Sequence, residues 1–333
     1  MTMNPVIPGS ERAAAARWPL IDVARGLALA AMIVYHFAWD LSHYRIIATD
    51  IVRDPGWSLF AKTIASSFMF LVGVGFALGG RAGLERARYL RRLGMIAGAA
   101  ALVTLGTLVA APEAPVLFGI LHCIALASVL ILPFLRAPIA AALVAAVIVF
   151  ALPPVARSAV FDGAGWVWLG LGERFRPAVD YVPILPWVGF TLLGLAAGRA
   201  LVEWNGLKPA RDWIAAWRSA SPPARLLALM GRWSLLIYLT HQIILMAALY
   251  PFQPTQPQPA ALDDAASFRS ACEQNCRATN ASAETCQTFC NCAVSRLRPT
   301  PIWSRILRDE IAPADQSTIS DVTKQCAADA KIN

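Results

Sequence analysis

Residues 19–40, PLIDVARGLALAAMIVYHFAWD, form an apolar stretch long enough to cross a bilayer, yet they include several ionisable side chains. In steps of four and three, one helical face carries Asp22, Gly26, Leu29, Ile33, His36 and Asp40. At about 1.5 Å per residue, Asp22 and His36 lie roughly 21 Å apart along the axis. Ionisable groups inside a bilayer are costly and usually mark a substrate path, a proton relay or a chemical site. The stretch therefore predicts a functional membrane helix with a carboxylate near one membrane face and an imidazole near the other.

The composition of the whole chain is typical of a membrane protein with several spans. Of its 333 residues, 57% are hydrophobic and 15% are charged, against about a quarter charged in average soluble domains. Seven apolar runs approach the length of about 20 residues that a bilayer requires. They are 19–39, 58–80, 94–111, 115–135, 138–153, 181–201 and 226–250. The sequence predicts an all-α, multi-pass helical bundle of about seven transmembrane helices over 19–250, after an N-terminal tail of residues 1–18.

The positive charges predict the orientation of the bundle. With a cytoplasmic N-terminus, one side holds Arg12, Arg17, Arg81, Arg86, Arg88, Arg91, Arg92, Arg136, Arg199, Lys208, Arg211, Arg218, Arg225 and Arg232, and the short loops of the other hold Arg45, Arg53, Arg157, Arg174 and Arg176. This bias favours a membrane protein with a cytoplasmic N-terminus and a C-terminus on the other side of the membrane, in the periplasm or at the cell exterior. The same pattern accounts for the net charge of +8 without a nucleic-acid partner. No cleavage site follows the first run, which we expect to remain as an anchor.

Six cysteines crowd the last quarter of the chain, beyond the Pro/Gln-rich linker 251–262. Dense, even-numbered cysteine suits an oxidising compartment and predicts a periplasmic, disulfide-rich helical domain over 263–333. An antiparallel helical hairpin would pair Cys272 with Cys290 and Cys276 with Cys286, leaving Cys292 for Cys326. A metal cluster is the alternative, but no histidine lies nearby, so we expect no metal. A disulfide-rich cap beside an outward-facing site could gate entry or bind a periplasmic protein partner.

Three of the four histidines lie within apolar runs, and the topology places all three in the outer half of the bilayer. A lone buried histidine is usually structural, whereas three on separate helices favour a shared pocket. The candidate pocket residues are His36, His122, Asp180, Tyr181, Trp187, Ser234, Tyr238 and His241. Asp40, one turn beyond His36, could orient the imidazole or simply cap the helix. The two prolines of DYVPILPW predict an irregular start to the sixth span, of the kind that lines a cavity.

On the cytoplasmic side, arginines follow the second span closely and lie beside the Asp22 end of the first helix. They include Arg81, Arg86, Arg88, Arg91 and Arg92. A topology signal that also contacts anionic lipid would explain them. The alternative is a docking site for a phosphorylated cofactor, since guanidinium groups bind phosphate in pairs of hydrogen bonds. The candidate cofactor-binding residues are Asp22, Arg25, Arg88, Arg91 and Arg92.

Five motifs in order carry a family resemblance: LIDVARGLALAAMIVYH, FLVGVGFAL, GILHCIAL, VDYVPILPWVGFTLLGLAAGR and GRWSLLIYLTHQ. They resemble the bacterial membrane family related to heparan-α-glucosaminide N-acetyltransferase, within the wider group of transmembrane acyltransferases. The resemblance covers about residues 17–250 and leaves out the cysteine-rich tail.

The resemblance implies acetyl transfer across the membrane, from cytosolic acetyl-CoA as co-substrate to an amine or hydroxyl acceptor, typically on a sugar. It implies His36 as general base or nucleophile, with Asp40 orienting it and His122, Asp180, Tyr238 and His241 in the pocket. One departure concerns the catalytic histidine. The animal enzyme has an asparagine at the position of His36 and its histidine in the following loop, where this chain offers only His43.

Two other classes of function remain open from the sequence. A transporter could use the same buried polar groups as a translocation path, although the two halves of the chain show no evident inverted repeat. A haem or quinone protein, or a non-enzymatic subunit of a larger complex, could use the intramembrane histidines as ligands.

Overall fold

The computed structural model describes residues 18–47, 49–52, 54–79, 85–112, 114–173, 180–218, 221–252, 264–277, 282–307 and 311–330. The N-terminal tail up to residue 17, Arg53, Arg81, Arg174, Arg176 and nearly all of the linker lie outside these ranges. The chain divides into two compact units, Met1–Gln253 and Pro254–Asn333.

The predicted all-α fold is confirmed. The first unit contains α1 (Pro19–His43), α2 (Pro55–Gly79), α3 (Arg86–Ala110), α4 (Ile120–Leu130), α5 (Ile139–Ala156), α6 (Ile184–Glu203), α7 (Lys208–Ala216), α8 (Pro222–Arg232) and α9 (Ser234–Leu249). In the described part of the chain, six helical segments are long and apolar enough to cross a membrane: α1, α2, α3, α5, α6 and the segment Ser234–Phe252. Large apolar side chains lie on the outside of these segments, for example Val109, which is 86% exposed, and Ile243, which is 70% exposed. Such a surface requires lipid rather than water around it.

Glycines bring pairs of helices into direct backbone contact. A Cβ on Gly73 of α2 would collide with the Thr191 carbonyl of α6, and one on Gly194 of α6 with the Phe70 carbonyl of α2. Small residues at such positions let membrane helices approach closely. Gly26 of α1 and Gly231 of α8 pack in the same reciprocal way against each other's helix. These contacts make α2–α6 and α1–α8 closely packed helix pairs.

Two predicted spans differ from the observed helices. The run 115–135 contains only α4, of 11 residues, and a 3₁₀ turn at Leu132–Leu135, because Pro133 cannot continue the hydrogen-bond ladder of an α-helix. The run 226–250 is interrupted at Trp233, whose dihedral angles (φ −100°, ψ 20°) end α8 before α9 begins. The fifth run, although short and terminated by two prolines, forms an 18-residue helix.

The irregular start of the sixth span is present. Leu185 adopts φ −99° and ψ 128°, outside the helical region, within the first turn of α6. The chain before it runs through Asp180 and Val182. The Val182 backbone N–H donates to the Phe118 carbonyl, just before α4. This segment thereby brings the start of α6 beside the start of α4.

The second unit contains α10 (Asp264–Arg277), α11 (Ala283–Leu297), α12 (Trp303–Leu307) and α13 (Gln316–Asp329). Its disulfides join Cys272 to Cys290, Cys276 to Cys286 and Cys292 to Cys326, the same pairs that the spacing predicted. Its buried core is small and consists of Ala265, Val294, Leu297 and Trp303. Since a core of this size supplies little stability, the three bridges are expected to supply much of the rest.

Candidate active site

The N-terminal end of α1 carries one carboxylate among three arginines, a group that we call the arginine cluster: Asp22, Arg25, Arg92 and Arg232. The Asp22 carboxylate lies 3.5 Å from Arg25 Nη1 and 3.8 Å from Arg232 Nε. Arg92 of α3 is close enough to Arg25 for the two charges to repel, and its guanidinium lies 5.5 Å from the centre of the Phe76 ring. Positive charge therefore exceeds negative charge here, as an anion-binding site requires.

The structure brings together three of the five candidate cofactor-binding residues. Arg88 instead forms an ion pair with Glu85 at 2.9 Å on an exposed part of α3, and Arg91 is likewise exposed. Arg232 was counted among the cytoplasmic positive charges but was not among the cofactor-binding candidates. Its approach to Asp22 depends on Gly231, which lets the α8 backbone contact α1.

Further along α1, His36 faces His241 of α9. The two ring centres are 5.0 Å apart, with the ring planes at 67°. His241 is 7% exposed, and its Nδ1 lies 2.7 Å from the Tyr238 carbonyl oxygen and 3.2 Å from that of Ile237. A carbonyl oxygen only accepts hydrogen bonds, so Nδ1 carries the proton and Nε2 presents a lone pair. Within the described ranges, His241 Nε2 is buried and has no hydrogen-bond partner.

Asp40 does not make the predicted contact with His36. Its Oδ1 accepts a 2.6 Å hydrogen bond from Gln242 Nε2, and Asp40 is completely buried. Helical spacing places Gln242 on a different face of α9 from Tyr238 and His241, but α1 packs across α9 broadly enough to contact both His241 and Gln242. Each partner also keeps one buried oxygen, Asp40 Oδ2 and Gln242 Oε1, without a hydrogen bond to any residue that the structure describes.

A second set of contacts connects α9 to α4 through Asp180. Asp180 Oδ2 accepts hydrogen bonds from the Ile120 backbone N–H, at 3.0 Å, and from the Tyr238 hydroxyl, at 3.2 Å. The Tyr238 ring centre is 5.9 Å from that of His241. Burial raises the pKa of Asp180 above its ordinary value, against the lowering effect of these two hydrogen bonds. His36, His241, Tyr238 and Asp180 therefore form one continuous series of contacts.

His122 lies at the start of α4 but is fully engaged in local structure. Its Nδ1 accepts from the Gly119 N–H at 3.2 Å, so its Nε2 carries the proton and donates to Thr104 Oγ1 at 3.2 Å. The Thr104 hydroxyl in turn donates to the Val116 carbonyl at 2.7 Å. These bonds cap α4 and attach it to α3, which makes the neutral imidazole of His122 a structural group in this arrangement.

The remaining pocket candidates lie around this series without joining it by a described hydrogen bond. The Tyr181 hydroxyl donates to the Val167 carbonyl at 3.0 Å, and Trp187 packs against Phe190. Ser234 is the first residue of α9, two turns before His241. His43, the alternative catalytic histidine, is exposed and stacks on Trp39 at a ring-centre distance of 4.8 Å. The structure therefore places His36, rather than His43, against His241.

A family match covers the first unit. The family described as heparan-alpha-glucosaminide N-acetyltransferase, catalytic, matches residues 17–243. The chain belongs to this family. No curated protein and no solved structure gives a significant match. The matched segment contains both ends of α1, the Asp40–Gln242 pair and the Asp180–Tyr238 contact, and it ends before the cysteine-rich unit.

Membership of the heparan-α-glucosaminide N-acetyltransferase family, together with the apolar helices, identifies a membrane acetyltransferase-type catalytic domain. The family's general donor is acetyl-CoA. Across the described ranges, no three histidine, cysteine, aspartate or glutamate side chains are grouped so as to hold a metal ion.

Proposed function

We propose that the protein transfers an acetyl group from acetyl-CoA on the cytoplasmic side of a bacterial inner membrane to an amine or hydroxyl acceptor on the periplasmic side. The acceptor is a sugar or another small molecule. The N-terminus is then cytoplasmic and, with α4 and the 3₁₀ turn after it as a seventh crossing beside the six longer apolar segments, residues 263–333 are periplasmic. The excess of arginine and lysine on one set of loops supports this orientation.

The arginine cluster is suited to the phosphate groups of the donor. The guanidinium groups of Arg25 and Arg232 lie beside Asp22 and that of Arg92 lies near Arg25, so two of the three positive charges are not balanced by Asp22. Arg25 lies directly above Gly75 of α2, where a side chain larger than hydrogen would meet the guanidinium at 2.8 Å. Because Gly75 has no side chain, the Arg25 guanidinium can lie close to the α2 backbone at the interface of α1 and α2. A nucleotide bound there would place its pantetheine arm along α1 towards His36, roughly 21 Å away.

The chemistry is assigned to the other end of α1. In direct transfer, the acceptor nitrogen or oxygen attacks the thioester carbonyl carbon and the carbon–sulfur bond breaks. One imidazole of the His36–His241 pair receives the acceptor's proton and returns it to the departing thiolate, so that free CoA leaves as the thiol. In the two-step route, a nitrogen of His36 first takes the acetyl group and the acceptor then attacks this acyl-imidazole. Both routes begin with a neutral imidazole that has a free lone pair.

The observation that carries the proposal is the His36–His241 contact at 5.0 Å between α1 and α9. His241 has its tautomer fixed by the Tyr238 carbonyl and its Nε2 lone pair buried, which is what a general base requires. A partly buried imidazole lies directly beside it. Structural histidines such as His122 have both nitrogens engaged, so this pair differs from a merely structural arrangement.

Sealed vesicles containing the purified protein test the proposal. Labelled acetyl-CoA is supplied on the side of the arginine cluster, and glucosamine, the sugar named by the family, on the opposite side. We expect labelled N-acetylglucosamine to accumulate only in the acceptor compartment, and the free thiol of CoA to accumulate with the donor. Product that appears only when both reactants share one compartment would contradict transfer across the membrane. Absence of product from glucosamine and from a panel of sugars and amines would contradict the enzymatic function.

The cysteine-rich unit is proposed to be a periplasmic accessory domain that binds a protein partner. Its ion pair between Arg305 and Asp315, its small core and its three disulfides support aqueous, oxidising surroundings for this unit. Crosslinking in intact cells, compared between the full chain and a chain ending at residue 262, tests for such a partner.

A further inference from the structure

The Asp40–Gln242 pair combines two properties that seldom occur together inside a membrane protein. Asp40 is completely buried and Gln242 is partly buried, yet the pair is only half used: Gln242 Nε2 donates to Asp40 Oδ1, while the buried atoms Asp40 Oδ2 and Gln242 Oε1 have no partner among the described residues. A buried acceptor without a donor is costly, and native proteins normally satisfy it. A fully structural pair would have used these oxygens, as Arg305 and Asp315 do by making two hydrogen bonds, at 2.9 and 2.6 Å.

The buried atoms without a hydrogen-bond partner at the interface of α1 and α9 are all acceptors. Besides Asp40 Oδ2 and Gln242 Oε1, the buried Nε2 of His241 also presents a lone pair at the interface of α1 and α9. The amide orientation of Gln242 follows from its bond to a carboxylate, which can only accept when ionised. These three atoms are therefore complementary to a ligand that brings several donor hydrogens, such as a molecule with neighbouring hydroxyl or amino groups.

We propose that Asp40 and Gln242 form the recognition site for the acceptor, and that they select molecules bearing at least two adjacent hydrogen-bond donors. One donor group is the nucleophile, whose proton goes to His241 Nε2. A neighbouring hydroxyl donates to Asp40 Oδ2 or Gln242 Oε1 and so fixes the direction of attack. This inference rests on the proposed acetyl transfer, and it replaces the expected role of Asp40 as the group that orients His36. Gln242 becomes a determinant of acceptor specificity.

The position of the pair supports this assignment. Asp40 lies one helical turn from His36, and Gln242 is the residue after His241, so the pair flanks the two imidazoles on both helices. The Tyr44 hydroxyl donates to the Met246 carbonyl at 3.2 Å, one turn further along both helices, and holds α1 and α9 together. A ligand bound at the pair would therefore lie beside both histidines.

The test compares two acceptors that differ in their hydroxyl groups. Glucosamine has an amine beside hydroxyls, whereas cyclohexylamine has an amine alone. In the double variant Asp40→Leu/Gln242→Leu both polar partners are removed together, which leaves no orphaned group and preserves folding better than either single change. We expect the KM for glucosamine to rise about tenfold for each hydrogen bond lost. The KM for cyclohexylamine and the KM for acetyl-CoA are expected to change by less than about twofold, a limit well below the loss of one hydrogen bond.

The single variant Asp40→Asn separates recognition from packing. Its amide oxygen can still accept from Gln242 Nε2, whereas its amide nitrogen replaces the free acceptor Oδ2 with a donor, so the preference for glucosamine over cyclohexylamine is expected to fall while the contact between α1 and α9 is kept. Equal rises in KM for both acceptors, or a rise in KM for acetyl-CoA, would show that the pair only supports the helix interface and would overturn the proposal.

Direct binding distinguishes failure of this site from failure of the proposed function. Isothermal titration of glucosamine into the detergent-solubilised full chain, without acetyl-CoA, requires no chemistry. Binding by the wild-type protein that the double variant loses supports the recognition site even if no acetyl transfer is found. Equal binding by both proteins, or none by the wild type, contradicts it.

Discussion

The two ends of α1 carry similar side chains but differ in how completely those side chains are paired. At the N-terminal end, Asp22 lies between Arg25 and Arg232, so its charge is balanced within the protein. Towards the C-terminal end, Asp40 has one amide partner, while one oxygen of Asp40 and one nitrogen of His241 have no hydrogen-bond partner among the residues that the structure describes. The positive charge that Asp22 leaves unbalanced at the first end can bind an anionic group. The unpaired acceptors at the other end remain available to a substrate that brings hydrogen-bond donors.

The largest expected effect is the loss of acetyl-transfer activity when an imidazole is removed towards the C-terminal end of α1. His36→Ala and His241→Ala are each expected to lower the rate of acetyl transfer by about 10²–10⁴-fold, because general acid–base catalysis contributes on that scale. The variants should still insert and fold, since neither side chain makes a hydrogen bond that connects two helices in the described structure. Steady-state rates with acetyl-CoA and a sugar acceptor measure the loss.

His43→Ala is the matched control, because His43 is exposed and stacks on Trp39. Its rate should stay within about threefold of wild type, far from the catalytic scale. Full activity in His36→Ala with a large loss in His43→Ala would move the chemistry into the loop after α1 and undo the contrast between the two ends.

The next effect concerns the contact between α1 and α8, which brings Arg232 to Asp22 at the N-terminal end of α1. Gly231→Val would drive a side chain into the Asp22 carbonyl and separate α8, with Arg232, from α1. Overpacking of this kind costs about 1–3 kcal/mol, and we expect a lower melting temperature in detergent together with weaker binding of acetyl-CoA. The control is Gly98→Ala, since a Cβ at Gly98 of α3 meets nothing within 4 Å. Should both variants melt at the wild-type temperature, the α1–α8 contact would not be tight.

A smaller effect distinguishes the arginines that the structure brings together from those it does not. Arg25→Ala and Arg232→Ala should raise the KM for acetyl-CoA about tenfold, the loss of one charged hydrogen bond to phosphate, and leave the KM for the acceptor unchanged. Arg88→Ala should change neither constant by more than about twofold, because Arg88 pairs with Glu85 at the surface and exposed pairs contribute little. Equal effects at Arg88 and Arg25 would favour a diffuse basic surface over a cluster.

The fold could be predicted from sequence where one physical signal was sufficient. Apolar length predicted α1, α2, α3, α5 and α6, and the spacing of Cys272, Cys276, Cys286 and Cys290 was compatible with one helical hairpin, which the structure contains. The break at Trp233 was not predicted, because the run 226–250 was interpreted as a single span. Gly231, just before the break, packs on Asp22 of α1, and this contact joins residues more than 200 positions apart in the chain.

Sequence reasoning selected residues that the structure brings into contact, but it did not predict which of them pair with one another. The face shared by Tyr238 and His241 follows from helical spacing alone, and both residues take part in the observed series of contacts. The partner of Asp40 depended on which helix lies opposite α1, and helical spacing carries no such information. A buried carboxylate needs a donor, so the presence of a nearby glutamine within an apolar run was the one available signal for Gln242.

The smallest expected effect concerns Asp180, which contacts Tyr238 close to the two histidines. Burial raises the pKa of Asp180, so ionisation there destabilises the folded protein. Stability should therefore fall as the pH rises above the ordinary aspartate value near 4 and level off once the pH has passed the raised pKa. Asp180→Asn keeps an oxygen to accept from Ile120 and Tyr238 but cannot ionise. Above pH 4 its melting temperature should exceed that of the wild type by about 2 °C, a gap absent in more acidic buffer.

Asp180→Ala serves as the comparison, because it removes the acceptor as well as the charge. The Ile120 N–H and the Tyr238 hydroxyl then lose their partner, and the melting temperature should drop at every pH. An asparagine variant that is less stable than wild type, by a margin that grows with pH, would mean that the two hydrogen bonds outweigh burial and that Asp180 acts as a stable anion. In that case the charged acid would hold Tyr238 in place as Arg25 and Arg232 hold Asp22, and the contrast between the two ends of α1 would be confined to Asp40 and the histidines.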